Sequence, residues 1–274
     1  MHVSRLEAQM GRSDEALKAA QELIVSAPGN TDHYEFYAQT CFRLGKTDEG
    51  LEALRKAVRI NPNEPHLIMA LGSALAGSDR PLVITSGTGM GNSVPGQPAT
   101  EDVFHSSNPH PRKASELAGV SMLQAGINVS VVRLPQVHDP VKQGLITPAV
   151  AIAREKGVSA YVGDGRNRWP AAHVLDVARL YRLALEKREA GSRYHAVAEE
   201  GVSVRDIAEV IGRGLKVPVV AMSPHEVAGH FGWLAGFVGM DIPASSARTQ
   251  KALGWHPTGP GLIADLEQMR YFDA

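Results

Sequence analysis

The densest chemical signal in this chain is Gly87-Thr88-Gly89-Met90-Gly91, which follows the apolar run Leu82-Val83-Ile84 and includes or adjoins the hydroxyls of Ser86 and Thr88. Glycines after a strand let backbone N–H groups close on a phosphate, provided that a helix N-terminus comes next. Here Val94-Pro95-Gly96-Gln97-Pro98 follows and stops any helix. The spacing therefore speaks against a pyrophosphate cradle and for a flexible loop at the edge of an active site. Metal chemistry is not expected, because the eleven histidines are scattered and His225 and His230, five apart, do not share a helix face. The single cysteine, Cys41, excludes an internal disulfide and a thiolate cluster, and fits a reducing compartment.

Composition narrows the classes further. A chain of 274 residues makes one large domain or two smaller ones, and 43% hydrophobic with 21% charged residues is ordinary for a globular protein. A formal net charge of -1 gives no electrostatic case for nucleic acid or an anionic membrane. No apolar stretch approaches the ~20 residues of a membrane span. Met1-His2-Val3-Ser4-Arg5 lacks the apolar core of a signal peptide. A cytoplasmic protein without nucleic-acid or membrane partners is expected.

The elements before the glycine segment are helical and repetitive. Gly11-Arg12-Ser13-Asp14-Glu15-Ala16-Leu17 returns at a period of 34 as Gly45-Lys46-Thr47-Asp48-Glu49-Gly50-Leu51. Tyr34, Tyr37, Ala38 and Cys41 give one helix a packing face, and Leu51, Leu54, Ala57 and Val58 give the next one theirs. Gly45 permits the turn between them, and Pro62 ends the second. This pattern resembles the tetratricopeptide repeat, with one complete copy over 31–64 and a truncated one before it. Two readings stay open: a docking surface for a protein partner, and a helical cap on the neighbouring sheet. Leu67, Ile68, Met69, Ala70, Leu71, Ala74 and Leu75 surround most of a helix, so that helix is expected to be buried on more than one side. The expected division is 1–65 for the repeats and 66–274 for an α/β domain.

In the larger part, Pro81–Thr85, Asn128–Leu134 and, more weakly, Arg193–Val197 read as buried parallel strands. Helical patterns alternate with them over 115–125, 147–156 and 173–187, and Ser203 with Asp206 caps a further helix. The order Pro81–Ser86, Val132-Arg133-Leu134-Pro135, Gly163-Asp164-Gly165, His173-Val174-Leu175-Asp176-Val177-Ala178 and Leu253-Gly254-Trp255-His256-Pro257 is similar to the extended short-chain dehydrogenase/reductases, the NAD-dependent epimerase/dehydratase enzymes. It is closest to an atypical branch. The resemblance implies an α/β fold with a partial Rossmann-type parallel sheet, flanking helices and a substrate-side region, preceded by the helical segment.

It also implies site residues. Ser86 or Thr88 stands where the family has the hydroxyl that orients the substrate oxygen. The family's general acid/base is a Tyr with a Lys four residues on, and here no tyrosine has a lysine at that distance. Aligning on Glu116 puts Asn108 at the Tyr position and Arg112 at the Lys position, where Arg112 still suits a ribose or phosphate. Pro135 falls at the nicotinamide end, while Arg168 or, by strict spacing, Trp169 falls where sugar-nucleotide enzymes bind phosphate. His173 and Asp176 brace the sheet, and Leu253-Gly254-Trp255 is packing. The resemblance implies NAD or NADP as cofactor and a small carbonyl or sugar-type substrate. The departures imply an enzyme that is impaired or inactive, with a repeat-based scaffold or a fused or truncated gene product as alternatives. A sheet of this kind leaves an apolar edge strand, through which self-association is expected.

Overall fold

The computed structural model describes residues 13–61, 64–92, 94–106 and 112–271, so Gly11, Arg12, Pro62 and Asn108 lie outside the described residues. The chain divides into two compact units, one of Met1–Ile84, Pro111–Ser130 and Arg188–Gly191, the other of Thr85–His110, Val131–Lys187 and Ser192–Ala274.

The first unit is a run of helices, Ser13–Ser26, Thr31–Arg43, Thr47–Ile60 and Pro65–Ser73, each packed on the next, with Lys113–Gln124 packed on Pro65–Ser73. Asn30 caps the second by accepting the Asp32 N–H on its side chain at 3.0 Å. Gly45 turns the chain at φ 73°, a left-handed conformation that favours glycine. The expected packing faces are buried or half-buried: Tyr34, Ala38 and Cys41 in one helix, Leu51, Leu54 and Ala57 in the next. Leu71 and Leu75 of the following segment join Ala38, Leu51 and Leu54 in one apolar cluster. Each such leucine contributes about 1.5–3 kcal/mol on full burial. On another side of the same helix, Gly72 lies against the fully buried Met122. Helix Pro65–Ser73 is thus enclosed on two sides, as its apolar circumference requires.

The second unit is α/β. Strands β1 (Leu82–Gly87), β2 (Val129–Leu134) and β6 (Arg193–His195) form one sheet in the order β1-β2-β6. β1 and β2 begin in the first unit and end in the second. β2 and β6 run parallel, with Val131 opposite Arg193 and Arg133 opposite His195. A second sheet has the order β3-β5-β7, from Gln136–His138, Arg168–His173 and Glu199–Ser203. A third pairs β4 (Ser159–Val162) with β8 (Val219–Met222) in parallel. Proline cannot donate to a ladder, yet Pro170 lies inside the central strand β5; the register shifts between Trp169 and Ala171, a bulge that tolerates it.

Helices pack on these strands. Val204–Leu215 starts at Ser203, whose hydroxyl accepts the Asp206 N–H. It buries Ile207, Val210, Ile211 and Leu215 against Trp169, Leu262 and Leu266. One expectation is corrected. Gly87–Gly91 is no loose loop: Thr88–Gly91 is a 3-10 turn in which Thr88, Met90 and Gly91 are buried. Among the described residues, no helix is long and apolar enough to cross a membrane.

Because a side chain at position 72 would collide with Met122, Gly72→Leu is expected to destabilise the protein by about 1–3 kcal/mol. Gly29→Ala, with nothing within 4 Å of the new methyl, is the control that should leave the unfolding temperature nearly unchanged. Thermal unfolding followed by circular dichroism checks both.

Candidate active site

In open α/β sheets, ligands collect outside the carboxyl ends of the strands. In the second unit, the ends of β1, β2 and β6 carry Ser86, Arg133 and His195. Arg133 is fully buried, so its charge must be met by fixed partners. Its Nη1 donates to the Thr100 carbonyl at 3.3 Å and lies 3.2 Å from His195 Nε2. His195 Nδ1 lies 2.8 Å from the Ser245 carbonyl, which can only accept. The proton therefore sits on Nδ1, and Nε2 presents its lone pair to Arg133, which makes His195 a neutral acceptor.

The network continues outward. The His195 backbone N–H donates to Thr249 Oγ1 at 2.8 Å, and Thr249 donates its hydroxyl and its backbone N–H to Glu101 Oε1 at 2.8 and 2.9 Å. Gly91 closes over it. A methyl at position 91 would meet the Thr100 carbonyl, with Arg133 Nη1 at 2.8 Å and His195 Cε1 at 3.2 Å, so only glycine fits. The glycine turn is consequently filled by the protein's own groups.

Ser86 is buried, and its Oγ has no hydrogen-bond partner among the described residues. Its neighbour Thr85 is satisfied, with Oγ1 2.6 Å from the Tyr181 hydroxyl. Thr88 is buried at the start of the 3-10 turn, and Pro135 is half-buried between β2 and β3. Arg112 belongs to the first unit, half-buried, where its carbonyl accepts the Glu116 N–H at 3.4 Å. Ser86, Thr88 and Pro135 belong to the second.

Arg168 is committed to protein groups. It forms a two-pronged pair with Asp241, Nε to Oδ1 at 3.0 Å and Nη2 to Oδ2 at 2.8 Å, and donates again to the Gly96 carbonyl. The guanidinium holds the Asp241 carboxyl below the usual carboxylate range. Trp169 is a core residue, only 2% exposed.

Several polar pairings escape a reading by motif, although His173 and Asp176 themselves lie in one. His138 and Asp265 form a buried pair at 2.7 Å, with His173 Nε2 3.9 Å from the same carboxylate. His138 Nε2 has no partner among the described residues. Asp176 accepts the N–H groups of Thr258 and Gly259 and the Arg179 guanidinium, and its carbonyl accepts from Trp255 Nε1. Asp32, Glu35 and His66 bring their donor atoms within 4.8 Å of one another on the first unit's surface. These groups come from positions far apart in sequence or one helix turn apart without a motif.

Residues 65–198 match the model of the NAD dependent epimerase/dehydratase family. An uncharacterized protein of Schizosaccharomyces pombe, C2A9.02, is 42% identical over 210 residues, which are 76% of this chain and 71% of the relative. YLL056C, an uncharacterized protein of Saccharomyces cerevisiae, is 39% identical over 200 residues, 72% of this chain and 66% of the relative. Residues 65–198 thus carry an NAD dependent epimerase/dehydratase family domain, in a chain related to these two yeast proteins. Among solved structures, DesIV, a dTDP-glucose 4,6-dehydratase of Streptomyces venezuelae crystallised with NAD and TYD, superposes with a TM-score of 0.60. It is 18% identical, over 82% of this chain and 69% of that one. The epimerase Mth375 of Methanothermobacter thermautotrophicus gives a TM-score of 0.60 at 16% identity, over 82% and 68%. At these identities the likeness is one of fold, and the fold is of the Rossmann type.

Ser86→Ala is expected to leave stability within about 1 kcal/mol of the parent or raise it, since it removes a buried hydroxyl without a partner. Thr85→Ala, which removes the hydroxyl that lies 2.6 Å from the Tyr181 hydroxyl, should cost about 1 kcal/mol. Urea denaturation separates the two.

Asp241 has its pKa lowered in the fold, so its pair with Arg168 contributes stability above the unfolded carboxylate value of about 3.9 and loses it as pH falls through the folded value. With the pair about one-third exposed, that contribution is at most about 1 kcal/mol. Asp241→Asn should therefore lower the urea midpoint at pH 7, and the difference from the parent should shrink at pH 3.

Proposed function

We propose that this chain keeps the substrate side of an NAD(P)-dependent epimerase, dehydratase or reductase but has lost the means to anchor the dinucleotide, and is impaired or inactive. The cofactor implied by the family is NAD or NADP. The observation that carries this reading is the closed glycine turn: Gly91 is packed on Thr100, Arg133 and His195, and the described residues before β1 are helical. A pyrophosphate needs a glycine turn open to it and a helix N-terminus beyond. Thr88–Gly91 is a single 3-10 turn that ends at Asn92. The residues present do not fit the group, and no chemical step is routed through it.

On the substrate side, Ser86 supports the reading, as a buried hydroxyl without a partner at the position from which the family orients a substrate oxygen. The missing Tyr and Lys leave no proton donor of the family's kind. The solved relatives include an enzyme of dTDP-glucose, but the pairing of Arg168 with Asp241 and the burial of Trp169 favour a small carbonyl compound over a nucleotide sugar. The helices between 31 and 60 we read as a tetratricopeptide-like hairpin and a docking face for a protein partner, supported by the 34-residue period and the Gly45 turn.

Calorimetric titration of the purified chain with NADH and NADPH tests the central claim. No saturable binding in the micromolar range is expected. Micromolar or tighter affinity for either cofactor would show that another part of the chain anchors the dinucleotide.

A further inference from the structure

The first unit contains a cavity that the epimerase/dehydratase reading neither uses nor requires. About 560 Å³ in volume, it is bordered by helix Thr47–Ile60, helix Pro65–Ser73 with the turn after it, and the start of β1. Its floor is apolar, made by Leu51, Val58, Leu71, Leu75, Leu82 and Val83. Arg55, Arg59, Arg80 and Arg188 stand around that floor, and no acidic residue among the described residues lines the cavity. Small organic ligands occupy spaces of this size, over apolar walls with a few polar groups that fix orientation.

The arginines are paired, but weakly. Arg55 and Arg59 share Glu52, at 3.6 and 2.9 Å, while Arg80 meets Asp48 at 3.6 Å and Arg188 meets Asp79 at 3.1 Å. The Asp48 and Asp79 side chains are 92% and 87% exposed. Such pairs are screened by water and exchange partners readily. Three carboxylates facing four guanidiniums leave the rim one positive charge in excess. Arg188 adopts φ 55°, the left-handed region that favours glycine, with its carbonyl held by Asn128 Nδ2 at 3.2 Å. A costly residue for that turn supplies the fourth guanidinium.

We propose that this cavity binds a small amphiphilic anion, its charged head among the arginines and its apolar chain on the leucine floor. A polar anion alone would leave the floor wet, and an apolar cation would meet four like charges. A second copy of the chain is a poor occupant as well. A two-fold contact through this face would bring the arginines of one copy onto those of the other.

Calorimetry on the full chain with decanoate tests the assignment, with acetate as the head alone and decyltrimethylammonium as the same chain on a cation. Decanoate should bind saturably at one site, and the two controls should not. The paired substitution Arg59→Gln with Arg80→Gln, at exposed side chains, should weaken decanoate at least tenfold, and Arg59→Lys with Arg80→Lys should restore most of it. Salt raised from about 0.05 to about 0.5 M should weaken binding severalfold. Equal binding of the cationic probe, no saturable decanoate binding, or an unchanged affinity in the glutamine pair would overturn the proposal. A dimer in sedimentation that Leu82→Glu dissociates would assign the floor to a second copy and overturn it too.

Discussion

A guanidinium with no exposed surface organises the second unit. Arg133 ends β2 inside the protein, and a buried cation without partners would cost several kcal/mol. The Thr100 carbonyl and the neutral face of His195 meet it. His195 is in turn fixed by Ser245 and Thr249, and Thr249 by Glu101. Thr100 and His195 meet this side chain directly, residues 245–249 support it through His195, and the glycine turn after β1 is shaped to make room for it. Satisfying this charge and opening the turn to an outside phosphate are competing demands on the same few backbone groups, and here the charge is satisfied.

The sequence exposes those parts of the fold that rest on local pattern. The β-branched runs at 82–84 and 129–132 are β1 and β2, and 193–195 is β6. The Ser203 cap, the Gly45 turn and the packing of Trp255 follow from residue types at fixed offsets. The two- and three-stranded sheets beyond were not legible. β4 and β8 have four residues each, too few for a period to show, and Pro170 disguises β5 because only the bulge between Trp169 and Ala171 makes it tolerable. Of the site, Ser86 and Thr88 stood out by position. The burial of their turn did not, since glycine content reports conformational freedom and says nothing of what packs against it. Arg133 appeared only as a member of a motif, its importance hidden because its partners lie 33 and 62 residues away.

Residues 65–198 match the epimerase/dehydratase family, while Arg168 is tied to Asp241 and the turn at Gly91 is packed on Thr100, Arg133 and His195. Helix Lys113–Gln124 lies within the stretch matched to that family, yet in this chain it shares a compact unit with the helices that precede β1. Gly72 and Met122 mark how closely it is joined to them. Segments of different sequence character have become one packing problem.

The pair between His138 and Asp265 ties β3 to the last helix, Leu262–Gln268, across 127 residues of chain. Leu262 and Leu266 of that helix also belong to the core around Trp169. A chain emerging from the ribosome exposes β3 long before the carboxylate that it needs has been made. The second unit therefore cannot complete its interior until that helix has been made, and a chain interrupted before Leu262 would keep an unmet imidazole and an open apolar core.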